Sequence, residues 1–141
     1  MSYELARFVD AQAPHVDTVL AELAAGRKRT HWMWFVFPQL RGLGRSEMAR
    51  HFGLQSLDEA GAYLAHPILG ERLRACVAAL LAVHGRSAHE IFGSPDDLKL
   101  RSCLTLFRAV DGPDSVFARA LEKYFDAQPD PMTLQLLADA R

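Results

Sequence analysis

The segment Pro67-Ile68-Leu69-Gly70-Glu71-Arg72-Leu73-Arg74-Ala75-Cys76-Val77-Ala78-Ala79-Leu80-Leu81-Ala82-Val83-His84 places Leu69, Leu73, Cys76, Val77, Leu80 and Leu81 three and four residues apart. That is the period of a helix with one apolar stripe. Ala75 through Val83 contains no polar side chain, so the spacing predicts a helix over 67–84 lying at the buried centre of the fold. No stretch of alternating residues elsewhere competes with it as a strand. The expected class is therefore all-α, a compact multihelical single domain over residues 1–141 with short helices around a buried central helix.

Helix punctuation recurs outward from that segment. Ser2 is placed to cap a first helix to about Gln12, and Pro14 to Gly26 bounds a second, with Val16, Val19, Leu20 and Leu23 as its stripe. Ser46 opens a short helix that Gly53 ends. Ser56-Leu57-Asp58-Glu59 reads as a capping box opening a helix that stops before Pro67. A turn of helix after Ser87 is followed by Ser94-Pro95-Asp96-Asp97, a capping serine, a first-turn proline and first-turn acids, which start a helix to about Val110. Asp114 to Phe125 and Asp130-Pro131 to Ala138 repeat the device.

With 141 residues, half of them hydrophobic and 23% charged, the chain has ordinary globular composition and needs no metal or disulfide staple. Cys76 and Cys103 each fall in an apolar helical pattern without CxxC spacing, which points to reduced core thiols in a cytoplasmic protein. The first residues lack an apolar signal core, and no uncharged segment approaches the ~20 residues of a membrane span. A net charge of -1 disfavours specific nucleic-acid binding. The six histidines show no HExxH or i, i+4 pairing, so neither a metal nor another cofactor is expected. Charge is nevertheless uneven: residues 27–51 carry +5 and residues 111–141 carry -3. A basic segment of that kind is either a solvated face or a local anion site.

The basic segment contains His31-Trp32-Met33-Trp34-Phe35-Val36-Phe37-Pro38-Gln39, with both tryptophans and two phenylalanines. Rings of this size anchor a core or wall a pocket. Thr30 is placed to cap a short helix here, although a buried strand would read almost the same. As a pocket wall, the run would offer Trp32 and Trp34 as stacking faces with Gln39 beside them. Arg41, Arg72 or Lys99 would supply charge, and Ser102 lies on the flank of its helix shared with Lys99. His31 is the best placed proton-transfer group, with Asp96 or Asp97 as its partner, because an imidazole titrates near ~6.5. His66, before Pro67, is placed to accept free amides at a helix entrance or to join the site. Neither cysteine nor Ser102 sits in a nucleophile motif.

The segments Lys28–Gly44, Tyr63–Leu73, Ile91–Ser102 and Thr105–Phe107 resemble a small bacterial family of domains of unknown function, whose members often carry the label calpastatin. The resemblance spans essentially the whole chain. It implies a mainly helical single domain and brings no activity with it. The sequence departs from it at Val16, where an aromatic residue, usually tyrosine, is expected. The label itself conflicts with the composition, because a disordered inhibitor that wraps a protease is repetitive and poor in large apolar residues.

These residues favour a domain that binds a small anionic, nucleotide-like metabolite in an aromatic and basic pocket. The alternative is an interaction or self-association module without catalytic activity, whose aromatic surface would be a flat apolar patch. A purely structural role for the aromatic run is the third reading.

Overall fold

The computed structural model describes residues 3–140, so the cap expected at Ser2 lies outside the described residues. The helices are α1 (Ala6–Gln12), α2 (Val16–Ala24), α3 (Met33–Val36), α4 (Glu47–Phe52), α5 (Leu57–Ala65), α6 (Leu69–Ala82), α7 (Ala88–Phe92), α8 (Asp96–Asp111), α9 (Val116–Phe125) and α10 (Pro131–Asp139). A 3-10 turn at Ala13–His15 joins α1 to α2. The one extended pairing among the described residues is a parallel bridge between Leu40 and Leu54. The architecture is all-α, as the punctuation predicts.

Half of the α-helices are capped by a serine or aspartate side chain. Ser46 Oγ accepts from Ala49 N at 3.1 Å, and Asp130 Oδ2 accepts from Thr133 N at 3.0 Å, each satisfying an amide that has no partner inside its helix. Four details differ. Ser56 caps α5, but Glu59 reaches past it to Gln55 N at 2.7 Å and to Arg7 at 3.2 Å. The reciprocal box forms instead at Ser87 and Glu90. Helix α9 is capped by Ser115 rather than Asp114. Ser94 caps nothing, because Pro95 occupies the N-cap position after a cis peptide bond, and Asp97 Oδ1 takes the Leu98 amide at 2.9 Å.

The most enclosed helix is α8. It packs against α5, α7, α9 and α10, and six consecutive residues, Ser102 through Phe107, are buried. Sequence reading places α6 there because its run is all apolar, yet Ala75, Ala78 and Ala82 are exposed. A methyl group loses little by facing water. The hydroxyls of Ser102 and Thr105 enter the core of α8 because they bond the carbonyls of Leu98 at 3.2 Å and Arg101 at 2.8 Å. Aromatic rings continue the core outward: Phe8 meets Tyr63 edge-on at 5.0 Å, and Phe107 lies 5.5 Å from both Tyr63 and Phe117.

Helices α5 and α6 meet at a close elbow. A β-carbon on Gly70 would lie 2.0 Å from the Leu64 carbonyl oxygen, so only glycine fits there. At the same elbow His66 Nδ1 accepts from Ile68 N at 3.1 Å and Leu69 N at 3.3 Å, serving as the entrance cap of α6. This elbow sets the direction of α6, and α2 packs along α6.

Candidate functional site

Where α2 lies along α6 the two helix faces do not fill the space between them, and a cavity of about 370 Å³ remains. Val16, Val19 and Leu20 form one wall at helical spacing, and Ile68, Arg72 and Ala75 form the shoulder of α6 opposite. Short side chains at 16 and 75 leave the gap. A ring at position 16, which the resemblance leads one to expect, would take up part of this volume.

Two charged residues, Arg72 and Glu71, stand on these otherwise mostly apolar walls. Arg72 is half-buried, and among the described residues no carboxylate lies within 4.0 Å of its guanidinium. Its hydrogen-bond partner is Gln12 Oε1, at 3.4 Å from Nη1. Gln12, at the end of α1, is 4% exposed and lines the same cavity. Its amide nitrogen donates to Phe35 O at 2.6 Å and to Tyr63 Oη at 2.9 Å. Glu71, next to Arg72, also reaches the cavity wall.

The Cys76 thiol and the Tyr63 hydroxyl nearby are held neutral. Burial pushes the Cys76 thiol up to about 12, with a small opposing pull from Arg72, so it is not a thiolate near pH 7. Burial likewise raises the Tyr63 hydroxyl far above its ordinary value, against the hydrogen bond from Gln12. No histidine lines the cavity. The arrangement suits the holding of an anion better than proton transfer near neutrality.

The aromatic and basic run is arranged differently. Trp32 is 1% exposed, and its indole nitrogen donates to Glu22 Oε1 at 3.0 Å, so it presents no stacking face. Its segment forms the single turn α3, without a Thr30 cap, because the Thr30 hydroxyl donates to Glu22 Oε2 at 2.7 Å instead. Burial pushes the Glu22 carboxyl upward, but hydrogen bonds from Arg29 N, Thr30 and Trp32 outweigh it and hold its pKa at about 2. Trp34 is half-buried under Lys99, whose Nζ is 4.8 Å from the ring centre. Trp34, Gln39 and Lys99 share a slot of only about 10 Å³, room for about one water.

The other residues singled out from the sequence are mostly tied to backbone or to each other. Asp96 is held between Lys28 at 3.0 Å and Lys99 at 3.5 Å. His31 is exposed and pairs with neither Asp96 nor Asp97 among the described residues; His89 lies 3.4 Å from Asp97 instead. Arg41 Nε donates to Arg50 O at 3.2 Å. Ser102 Oγ lies 3.1 Å from Asp130 Oδ2, and His66 is the α6 cap. Of the sequence-derived candidates, Arg72 alone lines the cavity between α2 and α6. Its neighbours there, Gln12, Val16 and Cys76, were not read from the sequence as site residues. Gln12 leaves a trace in the sequence, a polar residue one turn after the buried Phe8.

The same fold occurs in a crystal structure of the conserved hypothetical protein Rv1873 from Mycobacterium tuberculosis, with a TM-score of 0.94 and 54% identity over 96% of this chain and 97% of that one. No curated protein matches the chain. Among the described residues no helix is long and apolar enough to cross a membrane. The segments that carry the resemblance, from the aromatic run to the start of α8, all fall within residues 2–137, which match a family model, and the chain thus belongs to the family described as "Protein of unknown function (DUF1810)".

Proposed function

We propose that this protein binds a small monoanion with an apolar body, a carboxylate on a ring or branched chain, in the cavity between α2 and α6. The observation that carries this reading is Arg72, a half-buried residue lining a mostly apolar cavity with no carboxylate within 4.0 Å among the described residues. A charge drawn out of water without a counter-charge is costly, and a ligand carboxylate would offset that cost through a paired, charge-assisted contact. A volume of about 370 Å³ falls in the range of small-molecule sites, and its walls are of the usual apolar kind. With one cation on the walls and the Glu71 carboxylate beside it, a ligand carrying more than one negative charge would meet repulsion that Arg72 alone does not offset. A nucleotide would bring more polar groups than these walls meet, and the buried Trp32 offers its base no stacking face.

Calorimetric titration and thermal shift with 3-phenylpropanoate test the reading on the wild-type chain and on Arg72→Met, which keeps most of the stem. The wild type is expected to show saturable stabilisation. The variant is expected to keep its helical circular dichroism and bind roughly tenfold or more weakly, as loss of a charge-assisted hydrogen bond implies. Equal binding by both proteins, or none by the wild type, would overturn the proposal.

A further inference from the structure

The orientation of the Gln12 amide adds a second recognition element to the cavity, and the inference built on it rests on the reading that a carboxylate binds at Arg72. The Phe35 carbonyl can only accept, so the Gln12 nitrogen must face it, at 2.6 Å, and the remaining N–H reaches Tyr63 Oη at 2.9 Å. Both donors of the amide are thereby used, and rotation of the group would set its oxygen against the Phe35 oxygen. Gln12 Oε1 is left beside Arg72. Its contact with Arg72 Nη1 is long, 3.4 Å, and an amide oxygen has two lone pairs, so a buried acceptor with spare capacity stands next to the half-buried cation, and both residues line the cavity.

We infer that the ligand is a 2-hydroxy carboxylate with an apolar body, its carboxylate on the Arg72 guanidinium and its hydroxyl donating to Gln12 Oε1. Substituents on adjacent carbons suit a donor and an acceptor held this close together. The neutral hydroxyl is selected over the ammonium of an amino acid, because a second cation beside Arg72 would meet like-charge repulsion in a poorly solvated space. Gln12 would then set specificity while Arg72 supplies the anion contact. A site with a fixed acceptor penalises the analogue that lacks the matching donor.

Titration of the full wild-type chain with 3-phenyllactate, 3-phenylpropanoate and phenylalanine tests this directly. The hydroxy acid is expected to bind roughly three- to tenfold tighter than the unsubstituted acid, in line with one buried hydrogen bond, and phenylalanine more weakly than either. In Gln12→Leu the first two are expected to become equal. Should that variant fail to fold, Tyr63→Phe serves in its place: the Phe35 carbonyl still orients the amide, and the hydroxy-acid preference must persist. Equal affinity of the wild type for 3-phenyllactate and 3-phenylpropanoate would overturn the inference while leaving the carboxylate site standing. Failure of all three to bind would overturn both.

Discussion

The indole nitrogen of Trp32 lies 3.0 Å from Glu22 Oε1, across the turn that joins α2 to α3. The same carboxylate accepts from Arg29 N at 2.7 Å, Thr30 N at 3.1 Å and Thr30 Oγ1 at 2.7 Å. One side chain thus fastens the basic segment to the helix before it and commits the larger aromatic group to the core. With its pKa lowered from 4.5 to about 2, Glu22 contributes stability that is full above about pH 4.5 and declines as pH falls toward 2.

Urea unfolding of the wild type and Glu22→Gln at pH 6 and pH 3 checks this contribution. The variant is expected to be less stable at pH 6 by on the order of 2 kcal/mol and to lose less on acidification than the wild type. Equal losses in the two proteins would contradict it.

At the α5–α6 elbow, Gly70→Ala forces a methyl group to within 2.0 Å of the Leu64 carbonyl oxygen. Backbone must move, and a loss of roughly 3 kcal/mol or more is expected. Gly61, inside α5, has nothing within 4 Å of its would-be β-carbon. Gly61→Ala should therefore stabilise by about 0.5–1 kcal/mol through helix propensity. Thermal denaturation of the two variants should shift in opposite directions.

Val16 lines the cavity between α2 and α6. Val16→Phe is expected to fill part of the gap, raise stability by about 1 kcal/mol and weaken 3-phenylpropanoate binding. A filled cavity that still binds the acid at wild-type affinity would place the ligand elsewhere.

The two lysines near the tryptophans separate structure from binding. Lys28 is 7% exposed at its side chain, bonds Asp96 at 3.0 Å and Thr30 O at 2.6 Å, and lies 5.0 Å from the Trp32 ring centre. Lys28→Met leaves Asp96 without its closer partner and is expected to cost about 2 kcal/mol. Lys99 is more exposed and its pair with Asp96 is longer, at 3.5 Å. Lys99→Met should cost less than about 1 kcal/mol and leave carboxylate affinity unchanged; a large loss of affinity in Lys99→Met would return the binding site to the slot beside Trp34.

Many of the helices were legible in the sequence because residues with a local preference, or the spacing of an apolar stripe, mark them. Ser46, Ser56 and Asp130 cap through their own side chains a few residues away, and the α2 stripe from Val16 to Leu23 needs only its own spacing to be recognised. What depends on partners distant in the chain was not legible. The aromatic run beside arginines has the composition of a pocket wall, yet Glu22, eight residues before Thr30, draws the segment inward and hides Trp32. The cavity depends on what two helices fail to fill, which the spacing of either helix alone does not show. From its chemistry Arg72 was one of three cations, with Arg41 and Lys99, that the sequence offered as an anion contact. Its partner Gln12 lies 60 positions away in the chain, and only tertiary packing brings them together.

The most direct test of the central claim is a nuclear magnetic resonance titration of the wild-type chain with 3-phenylpropanoate, following the Arg72 Nε–H, the Gln12 side-chain amide and the methyl groups of Val16 and Val19. Saturable shifts are expected at all four, with the Trp34 indole unmoved. Shifts confined to Trp34 and its neighbours, or no saturable shift at all, would contradict an anion site between α2 and α6.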